Sequence, residues 1–208
     1  MTIPAFIRSL ATALVAAGFA GSLTSCKTTP TVRSGPDGRT FDIPAYRPNN
    51  PRAVTVKAST GNRAVYVMEG NRPLLVTPAS FGMQGKGTPL GSFTAYTKIR
   101  NKRSGSYGNY PMPFWVEFQP AYGFHGGWVH PHNCTHGCVR MPWNVAPKFW
   151  ALVPQGTRIN IATSQPEDAT LGRNIPRLND GPAPEWPKDV LWTDRIFHRL
   201  DSRPVFAN

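Results

Sequence analysis

From Ala53 onward, apolar and polar residues alternate with a period of two. Val54, Val56 and Ala58 are separated by Thr55 and Lys57, a spacing that turns one face of a strand inward and the other toward water. Ser59-Thr60-Gly61-Asn62 reads as a turn, 64–68 as a second strand, Glu69-Gly70-Asn71 as another turn and 74–76 as a third strand, which together predict a β-meander. The stretch 92–99 alternates again, with Phe93, Ala95, Thr97 and Ile99 on one face, and 114–118 and 122–124 are further strands. The stretch 145–153, rich in Phe149, Trp150 and Leu152, predicts one short helix with Asn144 as its cap and Pro147 in its first turn, where proline is tolerated. A last strand spans 158–161. The pattern predicts a mostly β domain over 53–163 with one short helix.

The flanks read differently. In 1–25, Arg8 precedes an apolar run from Leu10 to Ala20. Eleven residues fall short of the roughly 20 that span a bilayer, and match the apolar region of an export signal. The run ends in Leu23-Thr24-Ser25-Cys26, which resembles the lipobox of bacterial lipoproteins. The resemblance implies cleavage before Cys26 and acylation of its thiol, an anchor of about 0.8 kcal/mol per buried CH₂. Lys27, where an Asp would signal retention, points to the periplasmic face of the outer membrane. Residues 26–52 carry five prolines and few large apolar side chains and read as a flexible tether. Residues 164–208 form a proline-rich extension whose Trp186 and Trp192 argue that it packs on the domain.

Composition sharpens this. Twenty-two prolines in 208 residues exclude a helical bundle, because proline breaks helix interiors. The net charge of +12 calls for a polyanionic neighbour; export disfavours nucleic acid and favours a cell wall or anionic membrane. The charge is concentrated: 26–163 holds sixteen basic and four acidic residues, while 164–208 holds six and seven. Lys98, Arg100, Lys102 and Arg103 are its densest cluster, expected as a solvated loop.

Chemistry concentrates in 125–138, which contains four of the five histidines and two of the three cysteines. One chemistry needing these residues is nucleophilic catalysis, in which a cysteine is activated by a histidine that a third group orients. His136-Gly137-Cys138 fits it, with a glycine before the thiol that lets backbone N–H groups face an oxyanion. The other is zinc, for which Cys134 and Cys138 have a plausible ligand spacing.

Thr135-His136-Gly137-Cys138-Val139-Arg140-Met141, preceded by His125-Gly126, resembles the signature of the L,D-transpeptidases of the YkuD family. Gly87-Thr88-Pro89-Leu90-Gly91-Ser92-Phe93 resembles the Thr-Pro-x-Gly-x-Phe element of the same family. The likeness covers roughly 53–162. It implies a β-sandwich or meander with one or two short helices, and no metal or organic cofactor. It implies Cys138 as nucleophile, His125 as its base and the Gly126 carbonyl as the group orienting the imidazole. His136, Gly137, Gly126 and Thr135 would shape the turn, with the N–H groups of Gly137 and Cys138 as oxyanion donors. Arg140 would hold the site and a substrate carboxylate, or else pair with Glu117. The implied reaction takes the acyl group of a peptidoglycan stem peptide with release of D-Ala and passes it to an amine, giving a 3-3 crosslink; with water it is a carboxypeptidase. Carbapenem sensitivity is also implied. Only nine residues separate His125 from Thr135, shorter than in many members. Cys134 is an extra thiol, either a buried apolar group or half of a regulatory disulfide. His130 and His132 read as surface residues, and His198 has no assigned role. Trp115, Trp128 and Tyr122 read as core or cleft wall. Tyr107 and Tyr110 lie in a Gly- and Ser-rich stretch suited to a lid or a linker. The competing classes are a zinc-stabilised binding module and a non-catalytic wall-binding lipoprotein.

Overall fold

The computed structural model describes residues 31–32, 43–178, 186–200 and 206–207. Cys26 and the export segment lie outside them. The strands are β1 (Thr31–Val32), β2 (Val54–Ser59), β3 (Ala64–Glu69), β4 (Arg72–Pro78), β5 (Gly91–Thr94), β6 (Thr97–Arg103), β7 (Pro111–Gln119), β8 (Tyr122–Gly127), β9 (Val139–Pro142), β10 (Arg158–Ala162) and β11 (Arg177–Leu178). The helices are α1 (Ala146–Leu152), α2 (Lys188–Leu191) and α3 (Arg195–Leu200). One sheet has the order β4-β3-β2-β10-β5, the other β6-β7-β8-β9, and β1 pairs with β11. The fold is mostly β: two sheets with a few short helices.

The meander β2-β3-β4 is antiparallel throughout, with Val56 opposite Val67 and Lys57 opposite Tyr66. β3 is buried along nearly its whole length, because both of its faces are covered. Val65 and Val67 join the main core, while Ala64, Tyr66 and Met68 pack with Ile175 from the C-terminal extension. Between the sheets, Phe93 meets Phe118 at 5.1 Å, Phe118 meets Phe124 at 5.4 Å, and Phe124 meets Phe149 of α1 at 4.8 Å between ring centroids. These rings tie β5, β7, β8 and α1 into one apolar layer.

Four local expectations are corrected. The stretch 92–99 is two strands in different sheets, because the chain leaves one sheet at Ala95. That residue is fixed by Ala95 N–H to Thr157 O and by Gly156 N–H to its own carbonyl, and Tyr96 N–H then donates to Glu117 O. The cationic cluster is a strand rather than a solvated loop. Lys98 lies 4.0 Å from the Trp150 ring centre, Arg100 5.3 Å from Phe114, Lys102 5.7 Å from Trp115 and Arg103 4.9 Å from Phe197, so each cation covers an aromatic face. Burial lowers the Lys98 ammonium to about 8. The cap position of α1 is Val145, with no side-chain cap bond; Asn144 lies one residue too early. Finally, the described parts of the expected tether, 31–32 and 43–52, are laid onto the domain, the first as β1 paired with β11. Ile43 and Ala45 are buried, Tyr46 N–H donates to Leu74 O, and the buried Lys148 ammonium donates to Ile43 O at 2.7 Å. Two apolar residues among prolines made too weak a signal to show this.

β8 and β9 run parallel, with His125 opposite Arg140. Parallel neighbours cannot be joined by a tight turn. The chain must loop out and return, and this connection carries the His- and Cys-rich segment.

Candidate active site

The connection is held by a short segment with no reactive groups of its own. Ser80 and Arg140 exchange both backbone hydrogen bonds, Cys134 N–H and Thr135 N–H both donate to Phe81 O, and Met83 N–H donates to Thr135 O. The segment 80–83 therefore clamps the turn on both sides of Cys138. Thr88, in the upstream motif, accepts from Gly82 N–H at 2.9 Å, so the two sequence motifs meet in space. A side chain at Gly82 would collide with the Lys86 carbonyl at 2.1 Å.

Inside the turn, the buried Thr135 hydroxyl donates to Cys138 O at 2.6 Å and accepts from Gly137 N–H at 3.2 Å. Gly137 has φ +114°, and a Cβ there would lie 2.3 Å from the Tyr122 ring. Both facts restrict the position to glycine. The Gly137 N–H is thus directed into the turn instead of toward an oxyanion as expected, because the Thr135 hydroxyl occupies the turn's interior.

A cleft of about 250 Å³ opens beside this turn. Cys138, His125, His136, Thr135 and Arg140 line it, and so do Tyr107 and Tyr110. Gly126 lies just behind, where a Cβ would meet that of Ala146 at 2.9 Å. Cys138 immediately precedes β9, two residues before Arg140, the parallel partner of His125. Its thiol lies 3.9 Å from Ala121 O. His125 is buried, and its Nδ1 lies 3.0 Å from Gly126 O. A carbonyl only accepts, so Nδ1 carries the proton and Nε2 keeps the lone pair. The Trp115 ring stacks on the imidazole at 6.1 Å.

Burial sets the charge state. It drives the His125 imidazolium down to about 3, helped by the Arg140 charge and opposed by the Gly126 bond. Burial also pushes the Cys138 thiol above its ordinary 9.0, against a backbone hydrogen bond and Arg140, with Glu117 adding to the rise. At neutral pH both groups rest uncharged. The cleft therefore holds a neutral thiol and a neutral imidazole.

Arg140 donates to Trp128 O at 3.2 Å and lies 3.8 Å from Cys134 Sγ. It does not pair with Glu117, whose carboxylate accepts from Trp115 Nε1 and Ala121 N–H. Cys134 and Cys138 are both free thiols. His130 and His132 face each other at 5.3 Å and do not line the cleft. Among the described residues, no three His, Cys, Asp or Glu side chains group to hold a metal ion, which the zinc reading requires. Tyr107 stacks on His136 at 4.3 Å with nearly parallel rings, so the loop between β6 and β7 caps the cleft. Ser104, Met112 and Gly127 also line it. They are chemically ordinary, and no sequence signal marked them.

The family model of the L,D-transpeptidase catalytic domain, YkuD, matches residues 51–161. The chain belongs to that family. No curated protein matches it. Among solved structures it is similar to an L,D-transpeptidase from Stackebrandtia nassauensis, with 20% identity, a TM-score of 0.49 and coverage of 59% of this chain and 60% of that one. An L,D-transpeptidase from Mycobacterium smegmatis has 20% identity and a TM-score of 0.49, over 53% and 58%. One from Mycobacterium tuberculosis H37Rv has 23% identity and a TM-score of 0.48, over 53% and 57%. The chain spans less than two thirds of each. The matched region includes both motifs, the segment 80–83 and every residue lining the cleft.

Proposed function

We propose that this protein is a peptidoglycan L,D-transpeptidase working through a Cys138 acyl-enzyme. The observation that carries the reading is the shared cleft of Cys138, the Nδ1-protonated His125 and Arg140, in a chain of this family. The Cys138 sulfur attacks the carbonyl between the third stem residue and terminal D-Ala. As the S–C bond forms, the thiol proton passes to His125 Nε2. The oxyanion is stabilised by the Cys138 N–H, and the substrate carboxylate pairs with Arg140. Collapse breaks the peptide bond, and D-Ala leaves as an amine that takes the proton from His125. A thioester remains. An amine from a neighbouring stem attacks it, His125 accepts that proton, and the thiol is released with a 3-3 crosslink formed. No step draws on a cofactor.

The Leu23-Thr24-Ser25-Cys26 motif supports anchoring through acylated Cys26 at the periplasmic face of the outer membrane, with the cell wall in reach. No helix among the described residues is long and apolar enough to cross a membrane. Incubation of the lipid-free chain with purified disaccharide-tetrapeptide tests the reaction. Dimers lacking one D-Ala are expected; tripeptide alone would assign water as the acceptor, and no product would overturn the reading. Radiolabelled palmitate on wild type but not on Cys26→Ala is expected in cells; equal labelling would refute the anchor.

A further inference from the structure

The loop that caps the cleft is not held by the catalytic domain alone. Its internal bonds run from Ser104 N–H to Tyr110 O, Asn109 N–H to Ser104 O and Tyr107 N–H to the Ser104 hydroxyl, with Gly108 and Asn109 both at positive φ. These bonds fix the loop's shape but not its position over the cleft. Arg103, the last residue of β6, supplies that link. Its Nη1 donates to Asn109 O at 2.9 Å and Leu191 O at 3.2 Å, and its Nη2 donates to Thr193 O at 2.7 Å. Its guanidinium covers the Phe197 ring. Leu191 O is a carbonyl left over at the end of α2, where a cation is favoured. Tyr110, a cleft residue, meets Trp192 edge-on at 6.5 Å. α2 and α3 are seated by Val190, Ile196 and Phe197, which pack on Trp143 just beyond β9. Among the described residues, nothing in the extension lines the cleft.

We propose that Arg103 is a positioning residue through which the C-terminal extension holds the Ser104–Tyr110 loop, and with it Tyr107 and Tyr110, over the cleft to receive the acyl donor. The guanidinium reaches three carbonyls from one planar fork. A lysine ammonium offers a single compact donor centre and cannot span them all. The proposal deepens the transpeptidase reading and rests on it for its kinetic consequence only.

The test uses the full lipid-free chain with Arg103→Ala, Arg103→Lys and Trp192→Ala. Amide hydrogen exchange needs no substrate and reads the loop directly. Arg103→Ala should speed exchange across 104–110 by about tenfold or more, the scale of one charge-assisted hydrogen bond, and leave β2 unchanged. Arg103→Lys should fall between it and wild type. With disaccharide-tetrapeptide as acyl donor, KM should rise about tenfold for Arg103→Ala with kcat within about twofold, the pattern of lost binding rather than lost chemistry. Should Arg103→Ala fail to fold, Trp192→Ala decides, because that ring is 48% exposed and its removal threatens the core little. Faster exchange confined to 104–110 supports the proposal. Unchanged exchange there in the folded variants, or an unchanged KM in an active enzyme, overturns it. A loosened loop in a chain that makes no product would refute the transpeptidase reading and leave the brace standing.

Discussion

Thr135→Val tests how the turn holds the Cys138 sulfur. Valine keeps the shape of threonine but loses the hydroxyl that binds both Gly137 N–H and Cys138 O. Thr135 and Gly137 are buried, so water cannot replace it freely. Leaving a buried polar group unpaired costs about 1–3 kcal/mol, so two such groups make a loss of about 2–6 kcal/mol expected at pH 7. Urea unfolding measures it, through a lower midpoint at constant slope. The turn also places the Cys138 sulfur, and a misplacement near 1 Å costs about a hundredfold in rate. Turnover of disaccharide-tetrapeptide should fall by that order while Cys138 remains present and alkylatable. Thr135→Ser keeps the hydroxyl and should recover most of both losses. A Thr135→Val protein within about 0.5 kcal/mol of wild type, the scale of a neutral surface change, and with normal turnover would refute the reasoning.

Gly137→Ala should cut turnover at least about a hundredfold by the same displacement, since its Cβ meets the Tyr122 ring; normal turnover would show that the turn yields. The rate of Cys138 alkylation should rise with pH in one step centred above 9.0, as burial of the thiol requires; a plateau extending to pH 5 would instead mean a resting thiolate–imidazolium pair. His125 is neutral when folded down to about pH 3 but titrates near 6.5 when unfolded, so its contribution to stability is full above 6.5 and lost as pH falls. The expected loss is about 1.4 kcal/mol per pH unit between those values, absent from His125→Asn and read by urea unfolding at stepped pH; parallel curves would contradict it. Burial pushes Asp168 up, yet hydrogen bonds from Tyr66, Gln165, Ser59 and Asn62 outweigh it and hold the carboxyl below 3.8. Its stabilising effect is present above 3.8 and fades below, and Asp168→Asn should cost about 1–3 kcal/mol at pH 7; an unchanged urea midpoint would contradict it.

The meander was legible because Val54, Val56 and Ala58 face a core and their neighbours face water. The helix over 146–152 was legible because its apolar residues recur on one face. The sheet change at Ala95 was not, because alternation runs through it unbroken and only tertiary bonds to Thr157 and Gly156 divide it. The basic strand was misread because charge suggests solvent, and cations lying over aromatic rings leave no trace in a local pattern. In the site, Cys138, His125 and Arg140 stood out as chemistry-bearing residues in a short motif. The segment 80–83 that clamps them did not, because it works through backbone bonds, which residue type does not announce. The neutral resting state was also hidden, since it follows from burial of His125 rather than from residue type. The Gly137 N–H was misjudged because nothing in the sequence places the Thr135 hydroxyl inside the turn.

Mass spectrometry of muropeptides tests the central claim most directly. The lipid-free chain is incubated with purified disaccharide-tetrapeptide beside a Cys138→Ala control. Crosslinked dimers lacking one D-Ala are expected from the wild type, with a transient acyl-enzyme mass on the Cys138 peptide and neither from the control. Equal product from Cys138→Ala, or no product from a folded wild-type chain, would contradict it.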